Sequence, residues 1–475
     1  MPSLTPVSIA PLLPERFREV LGDDYAPVEA AIERAGLLFE GRVIWHVNST
    51  ATGGGVAELL HSLLAYTRGA GVDARWMVLG GSPEFFRITK RIHNNLHGFN
   101  SDGGTLGDAE MAEFERISGN QAEELAALVQ PGDVVYLHDP QTAGMLPRLS
   151  DSGATVIWRC HIGIDSPNDV IRAAWDWLRP LVEGADCYVF SRREYAWDGL
   201  DPERIAVIAP SIDAFSPKNQ DLDPAVARAI LGRIGLCDPD GVAPTYTRQD
   251  GTPARVDRQA KIDQEATLPG DAPVLTQVSR WDRLKDPVGV LRGFAEHVAN
   301  PDAHALLVGP DVDGVSDDPE GAEVLAEVRA ARAELDPGVR ARTHLVNLPM
   351  DDIEENAAMV NAIQRHSTVV AQKSLAEGFG LTATEAMWKG RPVIATAVGG
   401  LGEQVLDGVT GTVIADPRDL RAFGAAAEEL LSDRALADRL GEAGREHVRA
   451  NYLGTRHLME YVDLLGAMLA GSEPG

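Results

Sequence analysis

The sequence predicts an α/β protein of two domains, each a parallel sheet flanked by helices. Three observations carry this prediction. From residue 42 onward, short β-branched runs alternate with amphipathic helical stretches, which is the pattern of βα units. The runs fall into two series, separated by a segment rich in Pro, Asp and Gly. The length of 475 residues, 44% of them apolar, exceeds what one hydrophobic core organises.

Taken in order, the first series reads RVIWHVN, ARWMVL, DVVYLH, ATVIWRC, DCYVF and IAVIAP. The second reads PVLTQVS, AHALLVG, THLVNL, STVVAQ, RPVIAT and GTVIA. Between them, from about Ser211 to Asp271, lies the expected interdomain crossing with a polar excursion. The stretch TRHLMEYVDLLGAML near the C-terminus has helical spacing of its apolar residues. Two Rossmann-like domains facing a cleft are the simplest solution. Open parallel sheets bind ligands outside the carboxyl ends of their strands, so the loops after HVN, LHDP, WRCH, TQVSR, LVGP and VAQKS are expected to line that cleft.

Composition narrows the function. A formal net charge of -28 argues against a nucleic-acid partner and against anionic membranes, and reads as solubility. Three cysteines, Cys160, Cys187 and Cys237, imply neither a disulfide framework nor a Cys-rich metal site. The N-terminus lacks a signal-peptide pattern, and no apolar run approaches the ~18 residues of a membrane span, so a cytoplasmic protein is expected.

The most informative motif is EGFGLTATE. It sets Glu377 and Glu385 around a glycine turn, Gly378 to Gly380, that enters a helix, where unpaired amides and the dipole favour anions and hydroxyl oxygens. Upstream, SRWDRLKDP carries Arg280 and Lys285 just beyond VLTQV, so two cations leave one strand end toward the same anion. An ion pair of either cation with Asp282 or Asp286 is the plainer alternative. In order and spacing these motifs resemble the retaining glycosyltransferases of the GT-B fold, family 4. That family pairs Arg and Lys after the first strand of its second domain with a Glu-x7-Glu loop. The resemblance spans about Trp45 to Leu469 and is strongest over residues 273–415. It implies an N-terminal acceptor domain over 1–215, a nucleotide-sugar donor domain over 216–454, and a helix at about 455–470 crossing back to the first domain.

Further motifs narrow the resemblance. The loop STATGGGVAELL follows a strand, and Gly53, Gly54 and Gly55 let backbone amides approach a ligand; it is not GxGxxG, so a nicotinamide fingerprint is unsupported. The segment FFRITKRIHNNLHG gathers Arg87, Lys90, Arg91, His93, Asn94 and His97, with a solvated helix face as the plainer reading. Its pattern resembles the trehalose-forming synthases within family 4. LHDPQTAG adds Asp139 and Gln141 at a strand end, and WRCHIGID adds Arg159, His161 and Asp165. Arg192, Arg193 and Glu194 read as an ordinary charged helix start, and Gly399, Gly400 and Glu403 as helix entry and packing.

This resemblance implies transfer of α-glucose from a nucleoside diphosphate glucose to the anomeric hydroxyl of glucose, with retention. Arg280, Lys285, Glu377 and His161 would be catalytic. Gly54, Gly55, Gly378, Phe379, Gly380, Leu381, Glu385 and Leu348 would bind the donor, and Asp139, Gln141, Lys90 and Asn94 the acceptor. No metal site is implied and no cofactor is obligatory, with Mg²⁺ stimulation left open; a homodimer is compatible with the sequence. A trehalose phosphorylase, a glucosyltransferase for another small acceptor and a silent sugar-nucleotide sensor are the alternatives. The polar stretch 237–263 is longer than in archaeal members, and the sequence leaves open whether it touches the cleft, mediates self-association or decorates the surface.

Overall fold

A computed structural model describes residues 3–52, 54–100, 104–239, 241–312 and 319–470; Gly53 lies outside them. The chain divides into two compact units, Met1–Ser211 with Gly454–Gly475, and Ile212–Leu453.

The first unit holds a seven-stranded sheet of β1 (Thr5–Val7), β2 (Val43–Asn48), β3 (Asp73–Val78), β4 (Val134–His138), β5 (Thr155–Cys160), β6 (Cys187–Phe190) and β7 (Ile205–Val207). Their order is β1-β3-β2-β4-β5-β6-β7. All neighbours are parallel except β1, which adds antiparallel to β3. β4 and β5 are buried on both faces, as their nearly unbroken apolar runs require. The helix Gly454–Ala470 belongs to this unit, where Tyr461, Val462, Leu465 and Leu469 pack with Ala35, Phe39 and Ile44.

The second unit contains a hairpin of β8 (Thr245–Thr247) and β9 (Pro253–Arg255) and a second seven-stranded sheet. That sheet comprises β10 (Lys261–Asp263), β11 (Val274–Val278), β12 (His304–Pro310), β13 (Thr343–Leu348), β14 (Val369–Gln372), β15 (Val393–Thr396) and β16 (Gly411–Ile414). The order is β10-β13-β12-β11-β14-β15-β16, parallel throughout except for β10 on β13. Every strand anticipated from the sequence is present. The four that were not, β1, β8, β9 and β10, are three residues long and mostly exposed, too short to show a period.

The segment 211–271 is more ordered than its Pro, Gly and Asp content suggests. It contains a helix, Pro224–Ile234, capped by Asp223, whose Ala227, Ile230, Leu231 and Ile234 join the core of the second unit. The polar excursion within it is clamped to the acidic N-terminus of the helix Ile353–His366. Arg248 bonds Asp352 and, at 2.7 Å, Glu354; Arg258 bonds the buried Glu355, which also accepts the amides of Asp257 and Arg258 at 2.6 and 2.8 Å. Acidic side chains suit that helix end, and the arginines offset the charge they gather. β10 then closes one edge of the sheet.

Candidate active site

Each sheet reverses its winding once, and several of the candidate residues lie on the loops beside a reversal. In the second unit the reversal lies between β11 and β14, and in the first between β2 and β4. At such switch points the loops diverge to opposite sides and leave a crevice at the carboxyl ends.

At the reversal in the second unit, the loop after β11 carries Lys285 and the loop after β14 carries Glu377. Lys285 Nζ lies 2.7 and 2.6 Å from the two Glu377 carboxylate oxygens, with side chains 17% and 9% exposed. Glu377 Oε2 also accepts from Gln372 Nε2 and Ser374 Oγ, both at 3.1 Å. Gln277 Nε2 donates to the Lys285 carbonyl at 2.6 Å, and the Leu375 amide to the Leu284 carbonyl at 2.7 Å, so the two loops are fastened to one another. The next residue, Asp286, has φ 48°, a conformation unusual outside glycine. It is held there by accepting from the Gly289 amide at 3.0 Å and by an ion pair with the fully buried Lys373.

Arg280 stands differently. Its guanidinium pairs with Asp282 at 3.1 Å and is 69% exposed. Asp282 meanwhile caps the short helix that bears Lys285, accepting from the Leu284 amide at 2.8 Å. Among the described residues, the structure thus joins Lys285 to Glu377 and gives Arg280 one partner, Asp282, at the same strand end.

The glycine turn between the two glutamates rests on the loop after β15. Gly380 has φ +86° and begins the helix Leu381–Trp388. At Gly399, φ +54°, a Cβ would stand 2.0 Å from the Glu377 carbonyl oxygen, so only glycine lets the loops approach this closely. The Gly400 amide donates to Gly378 O at 2.8 Å, and Gln404 Nε2 donates to the Phe379 carbonyl. Nothing occupies the space where a Gly378 Cβ would stand. Among the described residues no backbone bond takes the amides of Phe379, Gly380 or Leu381. Glu385, one turn into the helix and 6% exposed, has Lys218 Nζ at 3.6 Å. Leu348 ends β13 with its side chain 2% exposed in the apolar core, and its carbonyl accepts from the Asp311 amide at 2.8 Å.

In the first unit, Gly54, φ 84°, and Gly55 begin the helix Gly55–Gly69 directly after β2 and are exposed. Asp139, just past β4, has φ 64° and ψ 171°, a strained conformation for any residue with a side chain. Its Oδ1 accepts the His161 amide at 2.7 Å. Burial pushes the Asp139 carboxyl up to about 7, against the opposing pull of that amide and of Arg159. Gln141 Oε1 is buried and has no hydrogen-bond partner among the described residues. Lys90 is exposed on the helix Pro83–Leu96, and Asn94, one turn on, is half-buried; the same helix turns Arg91 inward, onto the Thr105 carbonyl at 2.6 Å.

His161, after β5, is not solitary. His46 Nδ1 lies 2.9 Å from His138 Nε2, His138 Nδ1 lies 3.1 Å from His161 Nε2, and Arg159 Nε donates to that same nitrogen at 3.2 Å. Burial, with Arg159 secondary, pushes His46 down to about 3, and burial likewise holds His138 and His161 well below the ordinary imidazole value. Sequence reading missed His46 and His138 because each passes for an ordinary strand residue. Their signal is positional, since HVN and LHD end strands that pair, with His46 opposite Tyr136. Gln372, Ser374 and Lys218 were missed likewise, as common polar residues with no motif of their own.

The family profile "Trehalose synthase, N-terminal domain" matches residues 46–197, and "Glycosyl transferases group 1" matches residues 258–447. A trehalose synthase of Pyrococcus horikoshii is 35% identical over 460 residues, 96% of each chain. The chain belongs to the trehalose synthase family of GT-B glycosyltransferases. The chain is also similar to a trehalose phosphorylase of Pleurotus pulmonarius, 26% identical over 91% of this chain and 58% of the phosphorylase. In fold, the chain is similar to a structure described as trehalose-6-phosphate from E. coli bound with UDP-2-fluoro glucose, with TM-score 0.65 and 12% identity, covering 89% of this chain and 98% of that one. Among the described residues, no cluster of three or more His, Cys, Asp or Glu is placed to hold a metal ion, and no helix is long and apolar enough to cross a membrane.

Proposed function

We propose that the protein is a retaining glucosyltransferase that moves α-glucose from a nucleoside diphosphate glucose to the anomeric hydroxyl of glucose, forming trehalose. The observation that carries this reading is the end-to-end similarity to relatives named trehalose synthase, together with the intact Lys285–Glu377 pair at the switch point. In this reading the second unit binds the donor. Lys285 and Arg280 neutralise the departing diphosphate, and a side chain as exposed as Arg280, held by one ion pair, can turn toward it. The amides of Phe379, Gly380 and Leu381 face the phosphates, Glu377 orients the sugar hydroxyls and Glu385 holds the ribose diol. In the first unit, Gly54, Gly55 and His161 meet the donor, while Asp139 and the orphaned Gln141 carbonyl take acceptor hydroxyls.

The acceptor oxygen bonds to the anomeric carbon on the face from which the diphosphate leaves. The carbon–oxygen bond to phosphate breaks with its electron pair on the phosphate, which takes the acceptor's proton. No protein carboxylate serves as nucleophile, and no metal is obligatory in a scheme where two side-chain cations supply the countercharge. A cytoplasmic location belongs to the same proposal.

A trehalose phosphorylase is the second reading, favoured by the similarity to the Pleurotus enzyme; there inorganic phosphate would sit on Arg280 and Lys285. The test is product analysis by NMR with glucose and, separately, UDP-glucose, ADP-glucose, GDP-glucose or α-glucose 1-phosphate, each with and without Mg²⁺. Trehalose from a nucleotide donor supports the synthase and ranks the bases. Trehalose from glucose 1-phosphate alone makes the protein a phosphorylase, and none from any donor rejects both.

A further inference from the structure

A hydrogen bond between two neutral imidazoles can run in either direction, and an isolated pair does not choose between them. In the chain His46–His138–His161 the choice is made by Arg159. A guanidinium only donates. The nitrogen it faces, His161 Nε2 at 3.2 Å, is therefore an unprotonated acceptor. His138 Nδ1, 3.1 Å from the same atom, must carry the proton it shares with His161. His138 Nε2 is then bare and accepts from the Nδ1–H of His46 at 2.9 Å. Neutral His161, bare at Nε2, keeps its own proton on Nδ1. Among the described residues no protein group bonds that nitrogen, and His161 is only half-buried.

We propose that Arg159 is a positioning residue that sets the tautomers of all three imidazoles, so that His161 presents an Nδ1–H donor beyond the end of β5 and reads its ligand through an oxygen lone pair. Arg159 is suited to this because its own orientation is fixed from elsewhere. Nη1 donates to Tyr461 Oη at 2.9 Å and Nη2 to the Ile208 carbonyl at 3.1 Å, and the guanidinium lies 5.5 Å from the centre of the Tyr461 ring. It is 1% exposed, and among the described residues no carboxylate pairs with it. A second cation in this enclosed chain would be costly beside it, which keeps the imidazoles neutral and the polarity single. The terminal helix Gly454–Ala470, through Tyr461, thereby helps decide which atom His161 offers at the site.

The tautomer pattern stands on this geometry, and its use on a sugar donor rests on the glucosyl-transfer reading. Full-length protein labelled with [¹⁵N]histidine is examined by long-range ¹H–¹⁵N correlation at neutral pH, with resonances assigned from His46→Asn, His138→Asn and His161→Asn. All three rings are expected as the Nδ1–H form. A wild-type His161 protonated on Nε2, or a mixture, overturns the proposal. In Arg159→Met, His161 is expected to lose its single tautomer; an unchanged Nδ1–H form rejects the role of Arg159. Should that variant unfold, His138→Ala decides instead: His161 keeps Nδ1–H because Arg159 still holds it, and a switch to Nε2–H rejects the proposal. UDP-glucose affinity by calorimetry is expected to fall about three- to tenfold in Arg159→Met, the worth of one neutral hydrogen bond. If wild type binds no nucleotide sugar, the glucosyl-transfer reading fails, while the spectra still decide the tautomers.

Discussion

Arg280→Ala and Lys285→Ala are expected to reduce turnover alike while differing in stability, because the structure gives the two cations different partners. Arg280 makes one ion pair at 3.1 Å from a side chain 69% exposed, and Asp282 keeps its bond to the Leu284 amide when Arg280 is removed. A surface pair of this kind contributes within about 0.5 kcal/mol, or about 1–2 °C in a domain of this size. Lys285 is bonded to both oxygens of a carboxylate that is 9% exposed. Its removal leaves Glu377 with two neutral donors, Gln372 and Ser374, and is expected to cost on the order of 2–3 kcal/mol, or about 5–10 °C. If both cations meet the departing diphosphate, each substitution lowers kcat by at least about 10²–10³-fold. The assay pairs thermal unfolding by circular dichroism with initial rates of nucleoside diphosphate release from the donor identified by product analysis. Because Arg280 has almost no structural task, its loss is the cleaner probe. An Arg280→Ala enzyme with wild-type melting and near-normal rate would refute the clamp.

Gly399→Ala is expected to displace the glutamate loop, since the added carbon would stand 2.0 Å from the Glu377 carbonyl oxygen and 2.7 Å from that of Gly378; kcat/KM should fall more than about tenfold, and an unaltered value counts against the loop as the donor site. Acidification should destabilise both units: burial lowers His46 and His344 from 6.5 to about 3 and His366 to about 4. A depressed folded value means stability that is present above 6.5 and lost as pH falls through those values, at up to about 1.4 kcal/mol per pH unit for each histidine. Urea midpoints between pH 7 and 4.5 measure this, and a flat profile contradicts it. Asp139 has the opposite sign, for its value is raised from 3.8 to about 7, so the stability it contributes is present below 3.8 and lost as pH rises through 7. Asp139→Asn should therefore gain on wild type between pH 5 and pH 8 in paired melts, and an equal difference at both pH values rejects the buried-carboxyl assignment.

Local pattern was enough for the architecture. Strands such as VLTQV and VVYLH are legible because burial on both faces demands unbroken apolar runs, and the glycine turns are legible because a strand feeding a helix at a switch point needs them. The Lys285 and Glu377 motifs were visible for the same reason, since each sits at a fixed offset from a recognisable strand end. What local pattern could not supply is partnership across the sheet. The end of β13 does not announce that the Leu348 side chain packs into the core while its carbonyl takes the Asp311 amide. The helix Pro224–Ile234 was hidden by the Pro and Gly around it, although Ile230, Leu231 and Ile234 give it a core face. The sequence by itself determined the two parallel sheets and the loops that carry the chemistry, because those follow from period and punctuation along the chain. Only the tertiary structure decided that Lys285 closes on Glu377 while Arg280 stays exposed, and that His161 ends a buried line of histidines polarised by Arg159. Hydrogen-bond direction and burial depend on which residues of separate strands come within about 3 Å, and sequence separation carries no record of that.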